Sequence, residues 1–167
     1  APLKLILEKA DATSVTFSVE ALDEETTWIG QIVGKEWFES FTTEELLDED
    51  MRYYNGMAGE MDVTLEEYLS SILSRGSHQN IRMAGLDPQT DYVVYIYGLT
   101  PAGVVTTRLF HKEFSTEPPY EGNDVTYDID VEVNRAIATI TITPSHEGVA
   151  YFNNLITRED FEAYGSD

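Results

Sequence analysis

The run "GLDPQTDYVVYIYGL" (85–99) constrains this chain more than any other stretch. Beyond Asp91, apolar and aromatic residues fill both phases of a two-residue alternation. Tyr92, Val94 and Ile96 share one phase, and Val93, Tyr95, Tyr97 and Leu99 the other. Successive side chains point to opposite faces of a strand, so this strand needs cover on both sides. "TTWIGQIVG" (26–34) makes the same demand, with Trp28 and Ile32 on one face and Ile29 and Val33 on the other.

Other segments read as ordinary strands. "LKLILEKA" near the start is short and apolar, and "TSVTFSVEAL" (13–22) alternates Val15, Phe17 and Val19 with Thr16, Ser18 and Glu20, the pattern of a half-buried strand. "HQNIRMA" (78–84) and "VVTTRLFHKEFST" (104–116) add two more.

Between them the period changes. "KEWFESF" after Gly34 suits two helical turns. Thr42 with Glu45, and Thr64 with Glu67, are spaced as capping boxes, in which the hydroxyl serves an orphan N–H and the Glu reaches back. Leu65, Tyr68, Leu69, Ile72 and Leu73 make one apolar helical stripe. Arg75 suits the negative end of that helix and Gly76 a left-handed cap. Residues 35–76 are thus expected to be a helical insertion of two or three short helices.

"EPPYEGND" (117–124) has two prolines, a glycine and three acids, and marks a linker over 118–124. Beyond it, "VTYDIDVEV", "RAIATITITP" and "GVAYFNNLIT" read as three strands, and "REDFEAYGSD" starts a helix. Moved by 123 positions, residues 15–41 lie on 138–164 without a gap. Thr16, Glu36, Phe38 and Glu39 meet identical residues, and Phe17 meets Ile140, Val19 Ile142, Trp28 Tyr151, Ile29 Phe152, Ile32 Leu155 and Val33 Ile156. Strand period alone does not place "KEWFESF" and "REDFEAY" at one offset. Residues 125–167 are therefore expected to be the N-terminal part of a truncated second repeat. A complete copy would run to roughly residue 240, and Ile140, Ile142, Phe152 and Ile156 would need cover from the missing remainder or another polypeptide.

Composition narrows the function classes. Among 167 residues, 10 Lys and Arg stand against 31 Asp and Glu, a net charge of −21. Such a surface repels phosphate backbones and anionic lipid, which argues against nucleic-acid and membrane-surface binding. With no Cys, the chain forms no disulfide and no thiolate metal site. No apolar run approaches the roughly 20 residues that span a bilayer, so no membrane insertion by this chain is expected. It starts at Ala1 without Met or a signal-like apolar region, the look of a processed or excised form.

Chemistry-bearing motifs are sparse. His78, His111 and His146 are far apart, without a second ligand at helical spacing. No HExxH, GxSxG, phosphate loop or dinucleotide fingerprint occurs. "DEDMRYYNGMAGE" has Tyr53 where a calcium loop of the EF-hand type needs Gly. Asp128, Asp130 and Glu132 read as a solvated strand face rather than a cation site. No catalytic, cofactor or metal residues are expected. Trp37, Tyr53 and Tyr54 lie on no clean apolar stripe, which makes them the candidate ligand-contact aromatics, with packing of the insertion as their other use.

The spacing Leu86-x-Pro88-x-Thr90-x-Tyr92 before an alternating strand resembles the corner motif of fibronectin type III domains, and "TSVTFSV" is similar to their B strand. In an immunoglobulin-like sandwich a Tyr near the start of strand F bonds back to the upstream backbone. The resemblance implies a mainly β, immunoglobulin-like sandwich over 1–117, with Tyr92 buried and its hydroxyl on a backbone group between 84 and 90. Phe17 stands near where a Trp is usual. Strands C (26–34) and F (91–99) would be sheet neighbours, with the insertion following C and its Leu65/Leu69/Ile72/Leu73 stripe covering their outer face near Tyr95 or Tyr97. Tandem modules with such an insertion resemble those of secreted lipoproteins on Bacteroidetes cell surfaces. That implies a non-enzymatic, extracytoplasmic spacer or adhesion module. The alternative is a glycan-binding accessory protein of a polysaccharide-utilisation system, and a weaker one is a carboxylate-based hydrolase.

Overall fold

The structure, a computed structural model, describes residues 1–121, 124–146 and 149–164. The expected linker therefore lies partly outside the described residues, at Gly122 and Asn123. Two compact units divide the chain, Ala1–Tyr120 and Glu121–Asp167. The fold is mainly β, with antiparallel sheets.

In the first unit, β1 (Leu3–Ala10), β2 (Ser14–Ala21) and β5 (His78–Ala84) form one sheet in the order β1-β2-β5. The second sheet takes β3 (Thr27–Gly34), β4 (Ser74–Arg75), β6 (Asp91–Gly98) and β7 (Phe110–Ser115) in the order β4-β3-β6-β7. Leu3, Leu5, Val15, Phe17 and Val19 from the first sheet meet Trp28, Val94, Ile96 and Phe114 from the second in one core. This is the arrangement of a β-sandwich, and the alternation of β2 points Val15, Phe17 and Val19 into it.

The second sheet is covered twice. Between β3 and β4 run α1 (Lys35–Glu39), α2 (Thr43–Glu60) and α3 (Leu65–Ile72). Their Leu46, Tyr54 and Leu69 close a second core on Ile29, Tyr95, Tyr97 and Leu99. Each doubly apolar strand thus splits its faces: Trp28 and Ile32 of β3 go to the sandwich core, and Ile29 and Val33 to the helical side. Both capping boxes form, Thr42 with Glu45 at α2 and Thr64 with Glu67 at α3. One of the helices is not short, since α2 runs for 18 residues.

Tyr92 is half-buried rather than buried, because it sits at the rim of the sandwich. Its ring stacks on Phe114 at 5.7 Å, and its hydroxyl accepts the Asp87 N–H at 3.0 Å.

Four local expectations are corrected. Residues Leu73 to Arg75 leave the helix, because Thr27 and Trp28 pair with Arg75 and Ser74 and pull the chain into β4. Gly76, at φ +67°, therefore turns the chain from β4 into β5 instead of capping α3. Its carbonyl accepts the Trp28 Nε1–H at 2.8 Å, and Arg75 meets the Glu25 carboxylate. Ile72 stays 37% exposed outside the second core, since α3 presents the Leu65–Leu69 side of its stripe to the sheet. The strand expected over 104–116 is cut to β7, because Thr106 and Thr107 fold against Gly98, whose N–H donates to Thr107 Oγ1 at 2.8 Å. A Cβ on Gly98 would come within 2.4 Å of Thr106 Oγ1, so only glycine permits that approach.

The second unit is a two-stranded sheet, β8 (Tyr127–Asn134) with β9 (Ile137–Pro144), and a helix α4 (Arg158–Tyr164). The third strand expected here does not form. Residues 150–157 are irregular and exposed, and among the described residues no strand pairs with them.

Candidate functional site

Helix α2 builds the site from two adjacent rows of residues spaced four apart. Leu46, Asp50, Tyr54 and Ala58 are the buried row. Glu49 and Tyr53, one position earlier on successive turns, line the mouth beside it. With Trp37 from α1, Tyr68 and Ile72 from α3, and Gln31 and Tyr95 from the sheet, they bound an open depression of about 460 Å³. That volume lies within the range of small-molecule sites, about 300–1,000 Å³.

Two of the three aromatics singled out in the sequence are exposed here. Trp37 is 41% exposed, its ring 4.8 Å from Phe41, and Tyr53 is 56% exposed. Tyr54 is different. It is fully buried between Tyr53 and Tyr68, and its hydroxyl accepts from Gln31 Nε2 at 3.2 Å. All three line one depression, with Trp37 and Tyr53 exposed and Tyr54 buried.

Beneath it lies a polar network that the sequence reading missed. Tyr95 Oη donates to the Asp50 carboxylate, 2.9 Å from Oδ1 and 3.0 Å from Oδ2, and Tyr97 Oη donates to Oδ2 at 2.9 Å. Burial holds the Asp50 carboxyl above its ordinary range, and the two phenol hydrogen bonds pull the other way. Burial, then the Asp50 charge, pushes Tyr54 up to about 12. Tyr95 and Tyr97 are raised further, by burial first and then by Asp50 and Tyr54. The phenols therefore stay protonated and act as donors. The signal for this network was the row Leu46-Asp50-Tyr54-Ala58 facing Tyr95 and Tyr97, legible only once both elements are known to pack together.

The remaining polar candidates do not converge. None of the three histidines lines this depression. His78 packs edge-on against Trp28 at 5.6 Å, and His111 lies against Phe38 at 5.2 Å. The acidic stretch from Asp48 to Glu60 is helical throughout. Asp128, Asp130 and Glu132 are exposed on β8, and no group of three or more His, Cys, Asp or Glu suited to a metal ion occurs among the described residues. No helix among them is long and apolar enough to cross a membrane.

No family model, curated protein or solved structure matches this chain.

Proposed function

We propose that the first unit is an extracytoplasmic, non-enzymatic binding module of fibronectin type III kind, and that its depression holds a neutral sugar ring. Lettered in chain order as A, B, C, C′, E, F and G, its strands fall into an A-B-E sheet and a C′-C-F-G sheet. C and F are then neighbours, as an immunoglobulin-like sandwich requires. The bond from Asp87 N–H to Tyr92 Oη supports the same reading, since it ties the start of strand F to the backbone upstream. The helices between C and C′ are then an insertion that roofs the outer face of the sheet.

The observation that carries the ligand is the exposed pair Trp37 and Tyr53 on one depression with the Gln31 amide and the Glu49 carboxylate. Aromatic faces take the C–H side of a sugar ring, and amide and carboxylate groups take its hydroxyls. A net charge of −21 repels acidic polysaccharides and selects neutral ones. Asp50, engaged by two phenols, anchors the floor and does not serve as an acid–base group. A spacer or adhesion role needs no such rim, so the exposed aromatics favour glycan binding over it.

The test is a glycan array read alongside calorimetry of Trp37→Ala and Tyr53→Ala. Neutral oligosaccharides are expected to bind, and each variant to weaken binding at least tenfold, about 1.4 kcal/mol. Binding that survives both substitutions, or no binding to any neutral glycan, overturns the reading.

A further inference from the structure

Gln31 enters the depression from the middle of β3. It shares the phase of Ile29 and Val33, on the face that the helices roof, and pairs with Tyr95 across the ladder. An amide can show a ligand either a donor or an acceptor, because a half-turn of the side chain exchanges its NH2 and its oxygen. What holds the amide from behind decides which.

Behind Gln31 stands a chain of hydroxyls that ends on Asp50. An ionised carboxylate only accepts, so Tyr95 and Tyr97 each spend their single hydroxyl hydrogen on it, at 2.9 Å. The Tyr97 oxygen is left to accept, and Tyr54 and Tyr97 share a side-chain hydrogen bond. Tyr54 therefore turns its hydrogen toward Tyr97 and keeps its oxygen for Gln31, whose Nε2 donates to it at 3.2 Å. All three phenols are fully buried, so water does not compete for these hydroxyls. With Nε2 held by Tyr54, the Gln31 carbonyl Oε1 is the atom left for a ligand.

We propose that the chain Asp50–Tyr97–Tyr54 makes Gln31 the specificity-determining residue of the depression, and that Gln31 reads one free hydroxyl of a sugar. The assignment rests on the sugar-binding reading above and narrows the ligand class to sugars unsubstituted at that hydroxyl. A methyl ether at the same position only accepts, so it would set an oxygen against Oε1 with no hydrogen between them. Tyr54 has no exposed surface and acts on the ligand through Gln31, as a positioning residue.

The test is calorimetry of the full chain at neutral pH with the methyl glycosides of glucose, galactose and mannose, each beside its mono-O-methyl ethers. The parent is expected to prefer the free hydroxyl at one ring position by about tenfold, the worth of one hydrogen bond. Tyr54→Phe lets the amide turn, so the ether gains on the hydroxyl and the preference falls. A merely structural loss would weaken both ligands alike and leave their ratio unchanged. Gln31→Met is expected to abolish the preference. In the ligand-free protein, exchange of the Gln31 side-chain amide protons is expected to quicken in Tyr54→Phe, while the backbone amides of β3 and β6 stay protected. A parent without preference, or a ratio or amide exchange that Tyr54→Phe leaves unchanged, overturns the assignment, and binding that still depends on Trp37 then leaves the sugar site standing. No binding to any of these glycosides, or binding that ignores Trp37, overturns the sugar reading and the assignment with it.

Discussion

Tyr97 donates its hydroxyl hydrogen to Oδ2 of Asp50 at 2.9 Å, tying the outer face of β6 to helix α2 across 47 residues of sequence. Tyr95 donates to the same carboxylate, so one acid satisfies two buried phenols that the helix would otherwise strand without water. The cost is a carboxylate in a place where burial disfavours its charge.

That cost has a sign. The folded-state pKa of Asp50 is raised above its ordinary value of 3.8. Its contribution to stability is therefore fully present below that value and is lost as pH rises through the raised one. Asp50→Asn removes the titration. Urea unfolding of both proteins between pH 3 and 7 is expected to show the stability of the parent, relative to the variant, falling as pH rises from about 3.8 and then levelling. A difference that is flat, or that grows with pH, contradicts this account.

Tyr92→Phe removes the acceptor of the Asp87 N–H. That N–H is exposed to solvent, so water replaces part of the loss, and about 1 kcal/mol is expected, the low end for an unmade hydrogen bond. The denaturant midpoint measures it. No shift at all would mean that the bond does not brace the corner.

Leu69 and Ile72 occupy one helical stripe with opposite fates. Leu69 is fully buried in the second core, and Ile72 is 37% exposed outside it. Leu69→Ala is expected to cost about 2–5 kcal/mol, through lost burial and the cavity left behind. Ile72→Ala is expected to cost under about 1 kcal/mol. Equal costs in chemical denaturation would refute this packing of α3.

The capping boxes make a fourth stability comparison. Thr42→Ala and Thr64→Ala each remove the side-chain acceptor for the N–H of Glu45 or Glu67. Each is expected to destabilise by about 1 kcal/mol. Thr→Ser at either position keeps the acceptor and is expected to recover most of that in the same unfolding experiment.

What the sequence determined by itself was local. Alternation in 26–34 and 91–99 assigned each residue to a face, because side chains on a strand alternate whatever packs against them. Thr42-x-x-Glu45 and Thr64-x-x-Glu67 marked helix starts, because a capping box closes within four residues. The resemblance to a sandwich corner implied a bond from the Tyr92 hydroxyl to the backbone between 84 and 90, and the structure supplies the Asp87 N–H there. Tertiary structure decided everything that depends on a distant partner. Asp50 reads as one more acid among 31 until Tyr95 and Tyr97 are set against it. Leu73 to Arg75 continue a helical pattern, yet pairing with Thr27 and Trp28 draws them into a strand. Residues 150–157 carry the apolar pattern of β3 and still form no strand, because strand hydrogen bonds belong to a pair and the neighbour that holds β3 has no counterpart among the described residues.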